Sequence, residues 1–263
     1  MEDKGWEKNR QAVLIVVQRC TVWYKENRVF SQMAILSGAI HLWHACLSDL
    51  LQDPAWIRSR LDSEDTARCA RIRLPQAAKH FAACRAFVKD RLSLYSGIEP
   101  QAIHFTYGSF GKPFFAPQPF SLAKTPHRVV VALAETPDCG VDMEETTAFS
   151  QNIFEAFLHD AERKALAVLP KTQQSHALRT LWVRKEAVIK ACGTSILSEA
   201  QTLVASPLTS CQRVRRLTPH GFETWLCPLF DLPNAVIACA YPENTPLVCS
   251  LHKFSCEFDP STV

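Results

Sequence analysis

The chain has 263 residues, of which 47% are hydrophobic and 21% are charged, and its formal net charge is +3 at pH 7. This balance excludes an intrinsically disordered protein and predicts a soluble globular one, with core enough for one large domain or two lobes. No apolar run is long enough to cross a membrane, and the run Ala12–Val17 is too short for the core of a typical signal peptide.

The cysteines indicate the compartment. The chain has eleven, with no CxxC pair and no regular spacing, which argues against a zinc framework. Some stand in apolar runs, as Cys239 does in VIACA, where a small buried thiol fits. Free buried thiols are typical of a reducing compartment, so we expect a cytoplasmic protein.

The first segment, residues 1–35, is polar apart from the run Ala12–Val17. The sequence leaves two interpretations open. The segment is a loosely attached helix, or translation starts at Met33 and the segment does not belong to the protein.

A basic segment follows between Arg68 and Arg91, with seven arginines and lysines against the single acid Asp90. Pro75 can open a helix here, because proline is tolerated in the first turn. Phe81, Val88, Leu92 and Tyr95 give this helix an apolar stripe. Its cations could bind nucleic acid, a membrane surface or a nucleotide phosphate, or form an ordinary solvated face.

The run RVVVALA, Arg128–Ala134, predicts a buried strand, and Pro137, Asp138 and Gly140 mark a turn before the extended pattern resumes in VDME. Alternate residues of a strand point the same way, so the two carboxylates of that motif, Asp142 and Glu144, share one face. Two carboxylates on a rigid strand suit Mg²⁺, although such a pair alone is weak evidence.

A long helix is predicted over Gln173–Ala191, because its apolar residues recur at helical spacing and Gly193 follows as a stop signal. Glu186 and Lys190 lie four positions apart and share a face. Lys185 projects near the middle of the apolar arc, where its ammonium must reach solvent or meet an anion.

Taken together, GVDME (Gly140–Glu144) and WVRKEAVIK (Trp182–Lys190), in which Glu186 follows Glu144 by 42 positions, resemble the signature of the 4′-phosphopantetheinyl transferases of the larger, Sfp-like type. GKP at Gly111–Pro113 matches a further family segment, and HLWHACL (His41–Leu47) looks like the family's opening strand. The resemblance covers about residues 36 to 250.

The resemblance implies an α+β fold of two similar lobes related by a pseudo-twofold axis, with the active site in the cleft between them. The N-terminal lobe would span residues 36–138 and the C-terminal lobe residues 139–263. Strands are also predicted from the sequence over ETWLCPLF and AVIACAY near the C terminus.

The activity it implies is that of a holo-[acyl-carrier-protein] synthase, which transfers the 4′-phosphopantetheine arm of coenzyme A to a serine of an apo carrier protein and releases adenosine 3′,5′-bisphosphate. Mg²⁺ would be held by Asp142, Glu144 and Glu186, and the catalytic residues would be Glu186 and Lys190. The residues expected to bind coenzyme A are Arg68, Arg71, Arg85, Lys112, Lys124 and Lys185.

The expected partners are coenzyme A and an acidic acyl or peptidyl carrier protein, with no nucleic acid and no membrane, and the protein is expected to be a monomer. One motif departs from the family, because Ala123 and Lys124 stand where Ser-His is usual. This departure leaves open a degenerate homologue that binds coenzyme A or a carrier without turnover. A nucleic-acid-binding module ranks third, because no recognition-helix or RNP-like pattern accompanies the basic segment.

Overall fold

The computed structural model describes residues 16–18, 38–146, 154–208, 212–245 and 248–254. Seven α-helices occur in these ranges: α1 (Leu47–Leu50), α2 (Pro54–Arg58), α3 (Ser63–Arg71), α4 (Pro75–Ser96), α5 (Asp160–Ala167), α6 (Lys171–Cys192) and α7 (Ile196–Glu199). None of the helices described here is long and apolar enough to span a membrane.

The strands of the same ranges are β1 (Val16–Gln18), β2 (Ala39–Cys46), β3 (Thr106–Tyr107), β4 (Pro113–Phe114), β5 (Phe120–Lys124), β6 (Arg128–Ala134), β7 (Gly140–Glu145), β8 (Leu203–Ala205), β9 (Arg213–Thr218), β10 (Gly221–Leu226), β11 (Leu229–Leu232), β12 (Ala235–Pro242) and β13 (Val248–Lys253). The first sheet has the order β1-β13-β2-β6-β5. In the second sheet, β11-β12-β10-β9-β8 are joined in order and β7 pairs with β12. Strands β3 and β4 form a separate hairpin.

The two sheets lie face to face between two layers of helices. Strand β6 shows this most directly, because Val129 and Val131 pack in the cluster with α4, whereas Val130 and Ala132 pack in the cluster shared with the second sheet. Both faces of β6 are therefore buried, which explains its continuous apolar run.

Strand β12 repeats the arrangement on the other side. Its residues Ile237 and Tyr241 face the first sheet, and Val236 and Ala238 face α6. The order of layers is helix, sheet, sheet, helix, which confirms a mixed α+β fold. The pseudo-twofold relation between two lobes stays a prediction.

The sheets do not follow chain order completely. Strand β13 comes last, yet it pairs in parallel with β2 of the first sheet, with Leu251 opposite Leu42. Strand β1, from the segment predicted to lie outside the family resemblance, pairs in parallel with β13. Val16–Gln18 is a strand and not part of a helix, the first of the two interpretations left open for this segment, and the rest of residues 1–35 lies outside the described residues.

Several sequence predictions are confirmed. The strand predicted at Arg128–Ala134 has those bounds, and Pro75 begins α4. The stretch predicted as one strand over ETWLCPLF is two, β10 and β11, because the ladder stops at Cys227 and Pro228. Proline has no backbone N–H to continue a ladder.

Neutral histidines are buried in and beside the first sheet. Burial, with the charges of Arg128 and Lys253, lowers the pKa of His44 to about 4. Burial, with the charges of His41 and Arg91, lowers the pKa of His252 to about 4 as well.

We expect acid to destabilise the fold through these histidines. In the unfolded chain these histidines take up protons near their ordinary pKa of about 6.5. In the folded chain they stay neutral until about pH 4. The stability present above pH 6.5 is therefore lost as the pH falls towards 4. Each histidine would contribute roughly 3 kcal/mol to this loss at most. Urea unfolding between pH 7.5 and 4.5 measures it, and His44→Leu should flatten the dependence.

The exposed His220 provides the control, because His220→Gln should leave the pH dependence unchanged. If the free energy of unfolding falls equally with pH in the wild type and in His44→Leu, this account of His44 is contradicted.

Candidate active site

The long helix α6 carries most of the site. It begins after Pro170 and ends at Gly193, which adopts the left-handed conformation with φ 65°. The predicted helix, Gln173–Ala191, was therefore right to within two residues at each end. Its buried arc, with Leu181 and Val188, packs on the second sheet.

Gly140 lets this helix lie directly against β7. A Cβ atom at this position would be 1.9 Å from the carbonyl oxygen of Ala187 and 2.5 Å from the amide nitrogen of Ala191. These are backbone atoms that cannot move aside, so the glycine is required by close approach. The contact brings the side chains of β7 within reach of those of α6.

Asp142 and Lys190 form the centre of the cluster. The Lys190 ammonium donates to Asp142 Oδ1 at 2.6 Å, and the aspartate side chain is 8% exposed. Its other oxygen, Oδ2, is buried without a hydrogen-bond partner. A buried carboxylate oxygen without a donor is costly, and it is a position where a cation would be stabilised.

Two more carboxylates lie beside this pair. Burial, together with the charge of Asp142, raises the pKa of Glu144 to about 7, and the same two causes raise the pKa of Glu186 to about 7. Burial also raises the pKa of Asp142, although Lys190 opposes that shift. Burial alone would lower the pKa of Lys190, but the charge and hydrogen bond of Asp142, together with the charges of Glu186 and Glu144, outweigh it and the net shift is upward. The structure thus brings together the four side chains that the motifs predicted.

Lys190 is distinguished by its position at the edge of the cluster. Its side chain is 30% exposed, so the ammonium that contacts Asp142 can also face an incoming anion. An ammonium has three N–H donors, and the Asp142 contact uses one of them.

Trp182 is a site residue whose role the sequence did not reveal. Its indole N–H donates to Glu144 Oε1 at 3.0 Å, and its ring packs against Phe154 and Phe157 with centroid distances of 4.1 and 5.6 Å. Burial lowers the pKa of Arg179, one turn earlier, and the charge of Glu144 opposes that shift, so this guanidinium also lies near the cluster.

A sequence signal for these two residues did exist. Arg179, Trp182, Glu186 and Lys190 recur at intervals of three and four, so they form one stripe along α6. Because they share one side of the helix, the four residues face β7 together.

The coenzyme A role expected for Lys185 is wrong. Its ammonium pairs with Glu162 at 2.5 Å and donates to the carbonyl oxygens of Phe157 and Ala200 at 2.9 and 2.7 Å. These contacts use its three N–H donors, and the side chain is 1% exposed. The anion that its buried position required is Glu162, so Lys185 joins α6 to α5 and offers nothing to a phosphate.

Lys112 lies at the same end of α6 as Lys190. Its ammonium donates to the carbonyl oxygen of Ala191 at 3.2 Å and, less closely, to that of Cys139 at 3.5 Å. Burial lowers its pKa. The turn between β3 and β4 is thereby attached to the junction of β7 and α6, which keeps a cation near the cluster.

Two of the three predicted arginines meet on one phenol. Arg85 donates to the Tyr107 hydroxyl at 2.9 Å and Arg68 reaches it at 3.4 Å. Arg85 also pairs with Asp65 at 3.1 Å. Arg71 lies exposed in the last turn of α3.

The basic segment is less uniform than its composition indicated. Lys89 is fully buried between Asp62 and Asp65, at 2.9 and 2.5 Å, and Asp90 pairs with Arg60 and Arg91. Much of the charge therefore holds α2, α3 and α4 together. This pattern does not fit the broad solvated face that nucleic-acid binding needs.

The departure from the family motif has a simple structural setting. Ala123 is 3% exposed and packs in the core between the two sheets, opposite Val130. Lys124 is exposed at the end of β5, and its charge acts on the thiol of Cys84 in α4. The cation therefore faces the α4 side of the first sheet.

The donor set fits a hard divalent cation in its chemistry. It offers three carboxylates, and one oxygen of Asp142 is buried without a hydrogen bond. No three His, Cys, Asp or Glu side chains in the described ranges converge as metal ligands do. Magnesium binding by Asp142, Glu144 and Glu186 stays a prediction.

Comparison with known proteins finds a similarity that covers the residues of this site. Residues 138–239 match the sequence model of the 4′-phosphopantetheinyl transferase superfamily. This range contains β7 and α6, and with them every carboxylate of the cluster.

Two curated proteins are similar over longer stretches. The chain is 28% identical over 216 residues to 4′-phosphopantetheinyl transferase HetI of Nostoc sp. (strain PCC 7120), covering 79% of this chain and 90% of that protein. It is 27% identical over 143 residues to putative 4′-phosphopantetheinyl transferase slr0495 of Synechocystis sp. (strain PCC 6803), covering 52% of this chain and 58% of the relative. These comparisons confirm the predicted resemblance to the superfamily.

Gly140→Ala tests the close approach of β7 and α6. The added methyl group would collide with the backbone of α6, so we expect a loss of about 3 kcal/mol or more in the free energy of unfolding. Urea unfolding measures it. Gly193→Ala is the matched control, because its Cβ would make only an ordinary contact, 3.9 Å from Lys112 Cδ, and the left-handed backbone costs about 1 kcal/mol. Equal stability of Gly140→Ala and the wild type would contradict the contact.

Proposed function

We propose that this protein transfers the 4′-phosphopantetheine arm of coenzyme A to a serine of an apo acyl or peptidyl carrier protein, with Mg²⁺, and releases adenosine 3′,5′-bisphosphate. The observation that carries the proposal is the cluster of Asp142, Glu144, Glu186 and Lys190 at the contact of β7 with α6. The family match over the same residues supports it.

The first chemical requirement is a proton acceptor, because a serine hydroxyl is a poor nucleophile at neutral pH. Glu186 fits this role, since a carboxyl with a pKa of about 7 is partly ionised at neutral pH and binds a proton well. Burial and the charge of Asp142 produce this pKa, so the packing of the cluster itself makes Glu186 a suitable base.

The second requirement is a cation at the phosphoryl oxygens, where negative charge accumulates. Lys190 fits, because Asp142 fixes its ammonium while part of the side chain stays exposed. A fixed charge needs no reorganisation during the reaction, and such preorganisation is a large catalytic term. Mg²⁺ held by Asp142, Glu144 and Glu186 would draw charge from the pyrophosphate and orient it.

Coenzyme A binding would involve Arg68, Arg71, Arg85, Lys112 and Lys124. Arg68 and Arg85 meet at Tyr107 and can share a phosphate. The carrier protein would be acidic, because the chain carries a net charge of +3 and such charge steers an acidic partner. We propose that the protein acts as a monomer.

A homologue that binds coenzyme A without turnover was suggested by Ala123 and Lys124. The buried position of Ala123 weakens that suggestion, because a side chain packed between two sheets does not face a ligand. The four side chains of the cluster favour the enzyme.

Glu186→Gln tests the catalytic assignment. We expect the rate of transfer to fall by about a hundredfold to ten-thousandfold, because the amide keeps the shape and cannot accept the serine proton. The measurement is the intact mass of an apo carrier protein after incubation with coenzyme A and Mg²⁺, beside a metal-free reaction. Glu155→Gln, at an exposed glutamate, is the control and should transfer normally. Normal transfer by Glu186→Gln would remove the assignment.

A further inference from the structure

Glu162, in the first turn of α5, is a buried carboxylate that lies outside both sequence motifs and that the proposed reaction does not use. Its side chain is 0% exposed, and both of its oxygens have donors. Oε1 accepts from the amide of Ala205 at 2.9 Å, and Oε2 accepts from the amide of His159 at 2.8 Å. Oε2 also pairs with the ammonium of Lys185 at 2.5 Å. These donors come from three different parts of the chain, so they allow the carboxylate one position in the fold.

Glu162 holds the ammonium of Lys185 at a point where several segments meet. Lys185 also donates to the carbonyl oxygens of Phe157 at 2.9 Å and of Ala200 at 2.7 Å. Its three N–H donors are then used, and its side chain is 1% exposed, so the ammonium has no second arrangement. The next residue of the same rigid helix is Glu186, whose backbone is therefore fixed together with that of Lys185.

This network complements the close approach at Gly140. The backbone atoms of α6 that lie nearest to Gly140 belong to Ala187 and Ala191. Lys185 comes two positions before Ala187, about 200° around the helix, so it lies on the far side of α6. The contact at Gly140 sets the distance between α6 and β7, and the network behind the helix sets the rotation of α6 about its own axis.

A second connection runs through Phe157. Its carbonyl oxygen accepts from Lys185, and its ring packs on Trp182 with 5.6 Å between the centroids. The indole of Trp182 in turn donates to Glu144 Oε1 at 3.0 Å. The network therefore reaches the carboxylate on β7 as well as the one on α6.

Stability alone does not account for a charged connection at this place. A buried ion pair adds little net stability over apolar side chains of the same volume, because the lost hydration of both charges offsets their attraction. Apolar residues would join α5 to α6 at least as firmly. Hydrogen bonds differ from apolar contacts in that they restrict direction as well as distance. The charged pair therefore suits a requirement for orientation.

We propose that Glu162 is a positioning residue that fixes Glu186 and Glu144 of the cluster in their relative places. It acts on the first through the ammonium contact on α6 and on the second through the aromatic contact with Trp182. This inference rests on the proposed function for the reaction that the two carboxylates serve.

The test uses the full chain and two variants. Glu162→Gln keeps the shape of the side chain and removes the charge that Lys185 needs. The double variant Glu162→Gln with Lys185→Met removes both charges, and it should recover stability, because a buried pair can be replaced without loss by neutral side chains of similar size. The double variant carries the test if the single one does not fold.

Asp90→Asn is the matched control. Asp90 is an equally buried carboxylate, 0% exposed, and it pairs with Arg60 and Arg91 in the layer of helices beside the first sheet. Its loss should lower stability in urea unfolding as the loss of Glu162 does, without reaching the carboxylate cluster.

The first readout is the kinetics of transfer to an apo acyl carrier protein with coenzyme A and Mg²⁺. We expect kcat to fall about tenfold to a hundredfold in both Glu162 variants, because a displacement of about 1 Å at a reacting group has a cost of this size. KM for coenzyme A should change about threefold or less, since the loss lies in the chemical step. In Asp90→Asn both constants should stay within about twofold of the wild type.

The second readout needs neither turnover nor metal. In protein labelled with 5-fluorotryptophan, the ¹⁹F signal of Trp182 is assigned with Trp182→Phe. This signal should shift in both Glu162 variants and stay in place in Asp90→Asn, because only the former disturb the segment that packs on the indole.

Wild-type kcat in the double variant would overturn the positioning role and leave the proposed function standing, as would an equal fall of kcat in Asp90→Asn. An unshifted Trp182 signal in both Glu162 variants would also overturn it. Absence of any transfer by the wild type would overturn the proposed function instead, and the Trp182 signal would then decide alone whether Glu162 is coupled to the cluster.

Discussion

The close approach of β7 and α6 at Gly140 is the constraint on which the site depends. The backbone of Ala187 occupies the space where any side chain would start, so the two elements meet at their minimum separation. Two residues further along β7, Asp142 then reaches Lys190 at 2.6 Å. Because the sheet and the helix are each rigid, this contact fixes the carboxylates without any need for a loop. Burial makes it costly to ionise these neighbouring carboxylates, and the packing of a large apolar core offsets that cost.

The same helix uses its cations in two different ways. Lys185 is fully buried, and Glu162 with two carbonyl oxygens uses up its donors. Lys190 lies five residues on, about 140° around the helix, and keeps part of its surface exposed. Burial therefore separates a lysine whose donors are all used within the fold from one whose ammonium stays partly exposed. Arg184 follows the structural pattern, because it donates to the carbonyl oxygens of Ser206 and Leu208.

What the sequence could predict was local. The apolar run of β6, the bounds of α6 and the shared face of Asp142 and Glu144 follow from side-chain periodicity over a few residues. The return of β13 to the first sheet does not, because a strand's pattern says which face is buried and not which strand it pairs with. The partner of Lys185 was hidden for the same reason, since Glu162 lies on another helix. Trp182 was visible as a motif residue, but its bond to Glu144 depends on the close approach at Gly140, which no periodicity encodes.

The central claim is that Asp142, Glu144 and Glu186 act together on the pyrophosphate of coenzyme A. The most direct measurement is a crystal structure with coenzyme A and Mn²⁺, in which anomalous scattering locates the metal. The account predicts one peak within coordination distance of all three carboxylates and of the pyrophosphate oxygens, with Lys190 at the phosphoryl group. Bound coenzyme A with its pyrophosphate away from these carboxylates, and no anomalous peak beside them, would contradict it.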